Sequence, residues 1–263
     1  MKEDYYKQLI IKDGINKTEI KKGLFKIIQG FEIIRLNNGQ QINAKSNDCE
    51  VGLVILRGKC SIKIDGKTYE NLGSREDVFA GKPTAVYIPI EKEFEILSYG
   101  VEIALCYAKC QEKADFTIIA PDEVNVMQVG NDNWQRQVSI IINPDSHSVN
   151  LIVGETINPP GNWSGTPAHK HEVDNPPKES FHEELYYFKC DRKNGFGIER
   201  FYSPERSINE LIYLNENTVT FMPWGYHQIV AGPGYTLYYL FFLSGTGKKL
   251  IGFCDPDHKW IAK

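Results

Sequence analysis

Three histidines and one glutamate, His169, His171, Glu184 and His227, have the types and the spacing to hold a divalent metal ion. The chain has only six histidines, and two of them form the H-x-H pair in Ala168-His169-Lys170-His171. In an extended strand, residues i and i+2 point to the same face, so both rings of the pair can serve one ion. Glu184 opens the aromatic run ELYYF, in which Glu184, Tyr186 and Phe188 share a face. His227 follows the turn residues Pro223 and Gly225 at a strand entry. Mixed imidazole and carboxylate ligation suits zinc or manganese first and iron or nickel next, and no nearby cysteine pair suggests a structural zinc site. A lone histidine on an apolar strand is more often a hydrogen-bonded core residue than a ligand, and H-x-H alone is weak. The four residues together argue for the metal.

The elements that position these residues read as strands. Runs such as GLVILRG from Gly52, TAVYI from Thr84, VEIALCY from Val101, VNLIV from Val149 and YTLYYLFFL from Tyr235 are rich in β-branched and aromatic residues. Turn pairs such as Asp65-Gly66 and Pro233-Gly234 punctuate them. An all-β sandwich or barrel follows. The segment from His171 to Phe181 carries Pro176 and Pro177 and reads as a loop. A faint repeat relates VGLVILRG, IKIDG and VYIPIEKEF of the first half to ELYYF and TFMPWGYH of the second. In that alignment Val51 stands where Glu184 is, and Glu93 stands where His227 is. Two units are expected, residues 1–130 without metal ligands and residues 131–263 with them.

At 263 residues the chain is long enough to bury a sizeable core. A formal charge of −4 gives no electrostatic footprint for nucleic acid or an anionic membrane. No stretch approaches the ~20 apolar residues of a spanning helix, and MKEDYYKQLI lacks an apolar signal core, so a cytoplasmic protein with neither nucleic-acid nor membrane partners is expected. Six scattered cysteines suggest reduced, mostly buried thiols.

H-x-H, a later Glu opening an aromatic strand and a later His after P-x-G resemble the two metal motifs of the cupin superfamily, whose fold is a jelly roll. Two departures stand out. The His171 to Glu184 gap is long, and Pro223 to His227 is one residue shorter than the common P-x-G-x-x-H. With them, the whole chain resembles the 5-deoxyglucuronate isomerases of myo-inositol catabolism. GNWSGTPAHKHEVDN from Gly161, ESFHEELYY from Glu179, GFGIER from Gly195, PWGYH, PGYTLYYL from Pro233, DPDHKW from Asp255 and, in the first half, LRGK from Leu56 and AVYIP from Ala85 carry the likeness. The resemblance implies two tandem cupin domains, a bicupin of carbohydrate metabolism that isomerises a small uronate from aldose to ketose with a divalent metal, and a homo-oligomer is a further expectation.

An enediol route needs a base near C2 and a donor near C1. Inward-facing carboxylates or phenols near the metal are the candidates: Glu183, Glu172, Tyr186 and Tyr239. For the substrate carboxylate, Arg200 is the first choice because its fork matches a carboxylate, and Arg136 is the second. Trp163 is a candidate floor for a sugar. Lys170 alternates with the ligand histidines and is expected to be solvated; His182 is expected at the surface, and His258 packs the C-terminal segment. Two other functions share this residue set: a metal-dependent cupin dioxygenase, and a sugar-binding bicupin without catalysis.

Overall fold

A computed structural model describes residues 2–262, and helix among them is confined to three short 3-10 turns, Lys2–Asp4, Asp132–Trp134 and Lys259–Ala262. The first nine strands are β1 (Tyr6–Gln8), β2 (Gly14–Lys17), β3 (Ile28–Leu36), β4 (Gln41–Lys45), β5 (Cys49–Ile64), β6 (Lys67–Leu72), β7 (Thr84–Ile88), β8 (Glu93–Lys109) and β9 (Thr117–Ile119). They are followed by β10 (Asn125–Val129), β11 (Arg136–Ile142), β12 (Leu151–Asn158), β13 (Trp163–Lys170), β14 (His182–Cys190) and β15 (Gly197–Tyr202). The chain ends with β16 (Asn209–Leu214), β17 (Thr218–Met222), β18 (Tyr226–Ala231), β19 (Leu237–Gly245) and β20 (Phe253–Cys254). No helix among the described residues is long and apolar enough to cross a membrane.

The strands form two compact units that exchange short segments. One comprises residues 9–125 and 140–153; the other comprises residues 1–8, 126–139 and 154–263.

In the first unit β2-β3-β8-β5-β7-β9 form one antiparallel sheet, with β4 added to β8 and β6 to β5. β5 and β8 pair along almost their whole length, with register shifts between Ile55 and Arg57 and between Gly58 and Cys60. Gly58 has φ of +80°, and a Cβ there would sit 1.8 Å from the Gly100 carbonyl oxygen, so only glycine fits this close crossing. The interior is aliphatic: Ile34, Val51, Leu53, Ile55, Ile62, Val86, Ile96 and Leu105 form one buried cluster. Val51, the counterpart of Glu184 in the repeat, is fully buried in that core.

In the second unit the sheet β1-β17-β14-β19-β12-β11-β10, to which β12 contributes residues 154–158, β11 residues 136–139 and β10 residues 126–129, faces the sheet β16-β15-β18-β13-β20. β19, the run LYYLFFLSG, is buried at every position, which is why it reads as a continuous apolar stretch rather than an alternating one. All six cysteines are free, and four of them are buried.

Candidate metal centre

β13, β14 and β18 bring the four sequence-selected residues to one place inside the second unit. Across β13 and β18, His169 pairs directly with His227, and residues so paired share a face. The β13–β18 register shifts between Ser164 and His169. That irregularity changes the parity of the strand, so Ser164, which bonds the Tyr239 hydroxyl, and the odd-numbered His169 both face inward. His171 follows one residue beyond the end of β13.

The ligand atoms of His169, His171 and His227 lie within 4.8 Å of one another. Glu184 Oε2 is 2.9 Å from His171 Nε2 and 3.2 Å from His227 Nε2. His171 Nδ1 donates to the His182 carbonyl oxygen at 2.7 Å, which places a proton on Nδ1 and turns Nε2 inward. His227 Nε2 is buried without a hydrogen-bond partner. An orphaned imidazole nitrogen beside two more imidazoles and a carboxylate fits a divalent cation, which would satisfy all four donors.

The electrostatics agree. Burial, reinforced by the neighbouring His227 and His171, pushes His169 down to about 3, so it is neutral with a free lone pair at pH 7. Burial works against the Glu184 charge, yet His171 and His227 hold its carboxyl well below the usual carboxylate range. Burial likewise opposes the His171 charge, but Glu184 outweighs it and raises the imidazole above its ordinary value.

The sequence model of the KduI/IolB family matches residues 15–261. The chain belongs to that family. A 5-deoxy-glucuronate isomerase of Geobacillus kaustophilus is 38% identical over 234 residues, 88% of this chain and 85% of that protein. One from Shouchella clausii is 31% identical over 262 residues, 97% of this chain and 96% of its own. An IolB-like protein of Salmonella typhimurium, known from its crystal structure, superimposes with a TM-score of 0.93 at 27% identity, covering 98% of this chain and 99% of that one. Oxalate decarboxylase shares the fold alone, with a TM-score of 0.66 at 10% identity over 95% of this chain and 79% of its own. The all-β architecture is therefore that of the cupins.

Around the cluster of this KduI/IolB chain, Tyr186 and Tyr239 face inward. The Tyr186 ring centroid is 5.9 Å from that of His227 and 5.4 Å from that of Tyr239, and burial pushes both phenols above their ordinary range. Glu183 pairs with Ser244 across β14–β19, on the strand face opposite Glu184 and the histidines, so it does not meet the cluster. Glu172 is bound to Lys170 and to the Gly225 amide.

Of the two arginines, the second choice has the better position. Arg200 pairs with Gln228 while its neighbour Phe201 pairs with His227, so Arg200 points to the outer face. There its guanidinium lies 4.1 Å over the Tyr202 ring, and it lines a hollow of about 270 Å³ with Trp163, Thr166 and Gln228. The expectation that Arg200 and Trp163 line the histidine side is corrected by strand parity: the two share the outer face. Arg136 is partly buried and electrostatically coupled to Tyr239 and Tyr186, with its Nε buried and unpartnered.

Two further expectations fail for one reason. Lys170 does face away from the histidines, but it is buried there, its ammonium held by Glu179 and Glu172. His182 is fully buried, bonded to Ser180 Oγ at 3.1 Å and the Gly247 carbonyl at 3.0 Å. The 172–181 loop and the strand Phe253–Cys254 cover the face that alternation alone assigned to water; Lys170 Nζ is 5.5 Å from the Phe253 ring centroid. Sequence reading also passed over Glu199 in GFGIER, although its alternation with Arg200 carries a signal: the two must face opposite ways.

Proposed function

We propose that the chain is a metal-dependent 5-deoxyglucuronate isomerase, converting 5-deoxy-D-glucuronate to 5-dehydro-2-deoxy-D-gluconate in inositol catabolism. The observation that carries this reading is the cluster of His169, His171, His227 and Glu184 in a chain whose near full-length relatives are named 5-deoxy-glucuronate isomerase. These four residues would hold one divalent ion, zinc or manganese ahead of iron or nickel. An ion held there would supply Lewis acidity to the sugar's carbonyl end.

The chain's own residues do the rest. Arg136 binds the substrate carboxylate, because its partly buried guanidinium has an unpartnered Nε and is electrostatically linked to the two inward phenols. Tyr186 and Tyr239 keep their protons at neutral pH and so act as hydrogen-bond donors to the sugar oxygens. The first unit, with its aliphatic interior, serves as a scaffold without metal.

The test is proton NMR of metal-loaded protein with 5-deoxyglucuronate under anaerobic conditions. Loss of the aldehyde signals and growth of the ketose is expected at a rate independent of O2. In D2O, deuterium entering the product identifies proton transfer through an enediol, whereas full retention of hydrogen identifies a hydride shift. No conversion, or turnover that stops without O2, rejects the isomerase.

A further inference from the structure

Glu199 is a carboxyl that the fold does not use. β15 pairs Glu199 with Ile229 and Phe201 with His227, so Glu199 points inward on the face of His227, two residues along. Its exposure is 0%, and neither carboxyl oxygen has a hydrogen-bond partner. Thr220 of the opposing sheet lies near enough to act on it but outside hydrogen-bonding geometry, and its own hydroxyl is buried and unpartnered. No cation acts on Glu199. A buried carboxyl in this state costs stability that an apolar side chain of similar size would not. Such a group in a native interior calls for a functional account.

Glu184 and Tyr186 on β14 and Thr220 on β17 act on it electrostatically, and His227 shares its face of the β15–β18 pair. Burial first, then the negative charge of Glu184, pushes Glu199 up to about 8. Glu184 is held far below that and Tyr186 and Tyr239 far above it, so among these inward acids Glu199 alone gains and loses a proton near neutrality.

Aldose–ketose isomerisation moves two hydrogens. One travels from C2 to C1, by proton transfer or hydride shift, and by either route a proton must also leave O2 and arrive on O1. We infer that Glu199 is the carrier of that second proton. It donates to the aldehyde oxygen O1 as the C2–H bond breaks, and the resulting carboxylate takes the proton of the O2 hydroxyl as the C2 carbonyl forms. Glu199 ends protonated, as it began, and no other reactant is consumed. The inference rests on the isomerase reading above.

The experiment compares metal-loaded wild type with Glu199→Gln, which keeps the shape and removes the exchangeable acid. The expected result is unchanged metal content, an unchanged or raised Tm, KM close to wild type, and kcat lowered on the order of 100-fold or more. The solvent deuterium isotope effect on kcat should vanish in the variant. A second readout needs no turnover. Because the folded-state proton affinity of Glu199 is raised, its own contribution to wild-type stability is fully present at low pH and is lost as pH rises toward about 8, whereas Glu199→Gln lacks this trend over the range from neutral pH to about 8. Wild-type kcat in Glu199→Gln overturns the inference and leaves the isomerase standing. A drop in kcat that comes with lost metal or a lowered Tm assigns Glu199 to structure and overturns it as well. An inert wild type removes the isomerase and the inference together.

Discussion

The ammonium of Lys170 lies 2.9 Å from both carboxylate oxygens of Glu179, and the network around this buried pair reaches the three segments that carry the clustered histidines and Glu184. Lys170 stands between His169 and His171, and a Glu172 oxygen is also 2.9 Å from its Nζ. Glu179 Oε1 accepts the amides of Glu172 and Val173 at 2.7 and 3.0 Å, closing the loop that joins His171 to β14. Glu172 Oε2 accepts the Gly225 amide at 2.8 Å, two residues before His227. The network sits on the far side of the strand from the clustered histidines and joins their segments through the backbone.

Glu179→Gln or Lys170→Met should therefore weaken metal binding by about 10- to 100-fold without removing a ligand, as loss of outer support does at metal sites. Lys170→Met leaves the Glu179 carboxylate buried without a cation and should also destabilise the fold by about 3–5 kcal/mol, whereas Glu179→Gln, which leaves Lys170 paired with Glu172, should cost less. Isothermal titration with zinc and denaturant unfolding measure the two effects. Unchanged affinity would show that the loop is held by other contacts.

Elemental analysis of purified protein should find about one divalent ion per chain, because the first unit's interior is aliphatic. His227→Ala should abolish binding. Two ions per chain, or none at any loading, would reject the assignment.

Arg136→Lys keeps the charge and removes the fork, so KM for the uronate should rise about 10-fold or more while metal content stays normal. Arg200→Lys, on the outer face, should leave KM unchanged. Steady-state kinetics on the two variants decide between them, and the reverse pattern would return the carboxylate to the hollow beside Trp163.

His182 has its proton affinity lowered to about 4 by burial, with the nearby His171 adding to the effect. Between about pH 6.5 and 4 the unfolded chain binds a proton there that the folded chain does not, so stability falls as pH falls through this window. The unfolding free energies of wild type and His182→Gln, compared from pH 7 down to 4, should converge as the wild type weakens. A gap that widens on acidification would contradict the buried neutral imidazole.

By itself the sequence determined the strand content, the four residues that cluster inside the second unit and the family, because strand alternation and H-x-H spacing are local and the motifs follow chain order. His169 and His171 share a face as period-2 geometry requires, and Glu184 and Tyr186 do the same on β14. The tertiary structure decided which faces meet and what covers their backs. Parity in IERFY already separates Glu199 from Arg200, but only the β15–β18 pairing tells which of them looks toward His227. Lys170 reads as solvent-facing until the loop and the C-terminal strand close over it, and His182 until Ser180 and Gly247 do the same. The exchange of residues 126–139 and 140–153 between the two units has no local signal either. Alternation fixes the two sides of a strand, whereas burial is a property of everything packed against it, and those contacts join residues far apart in the chain.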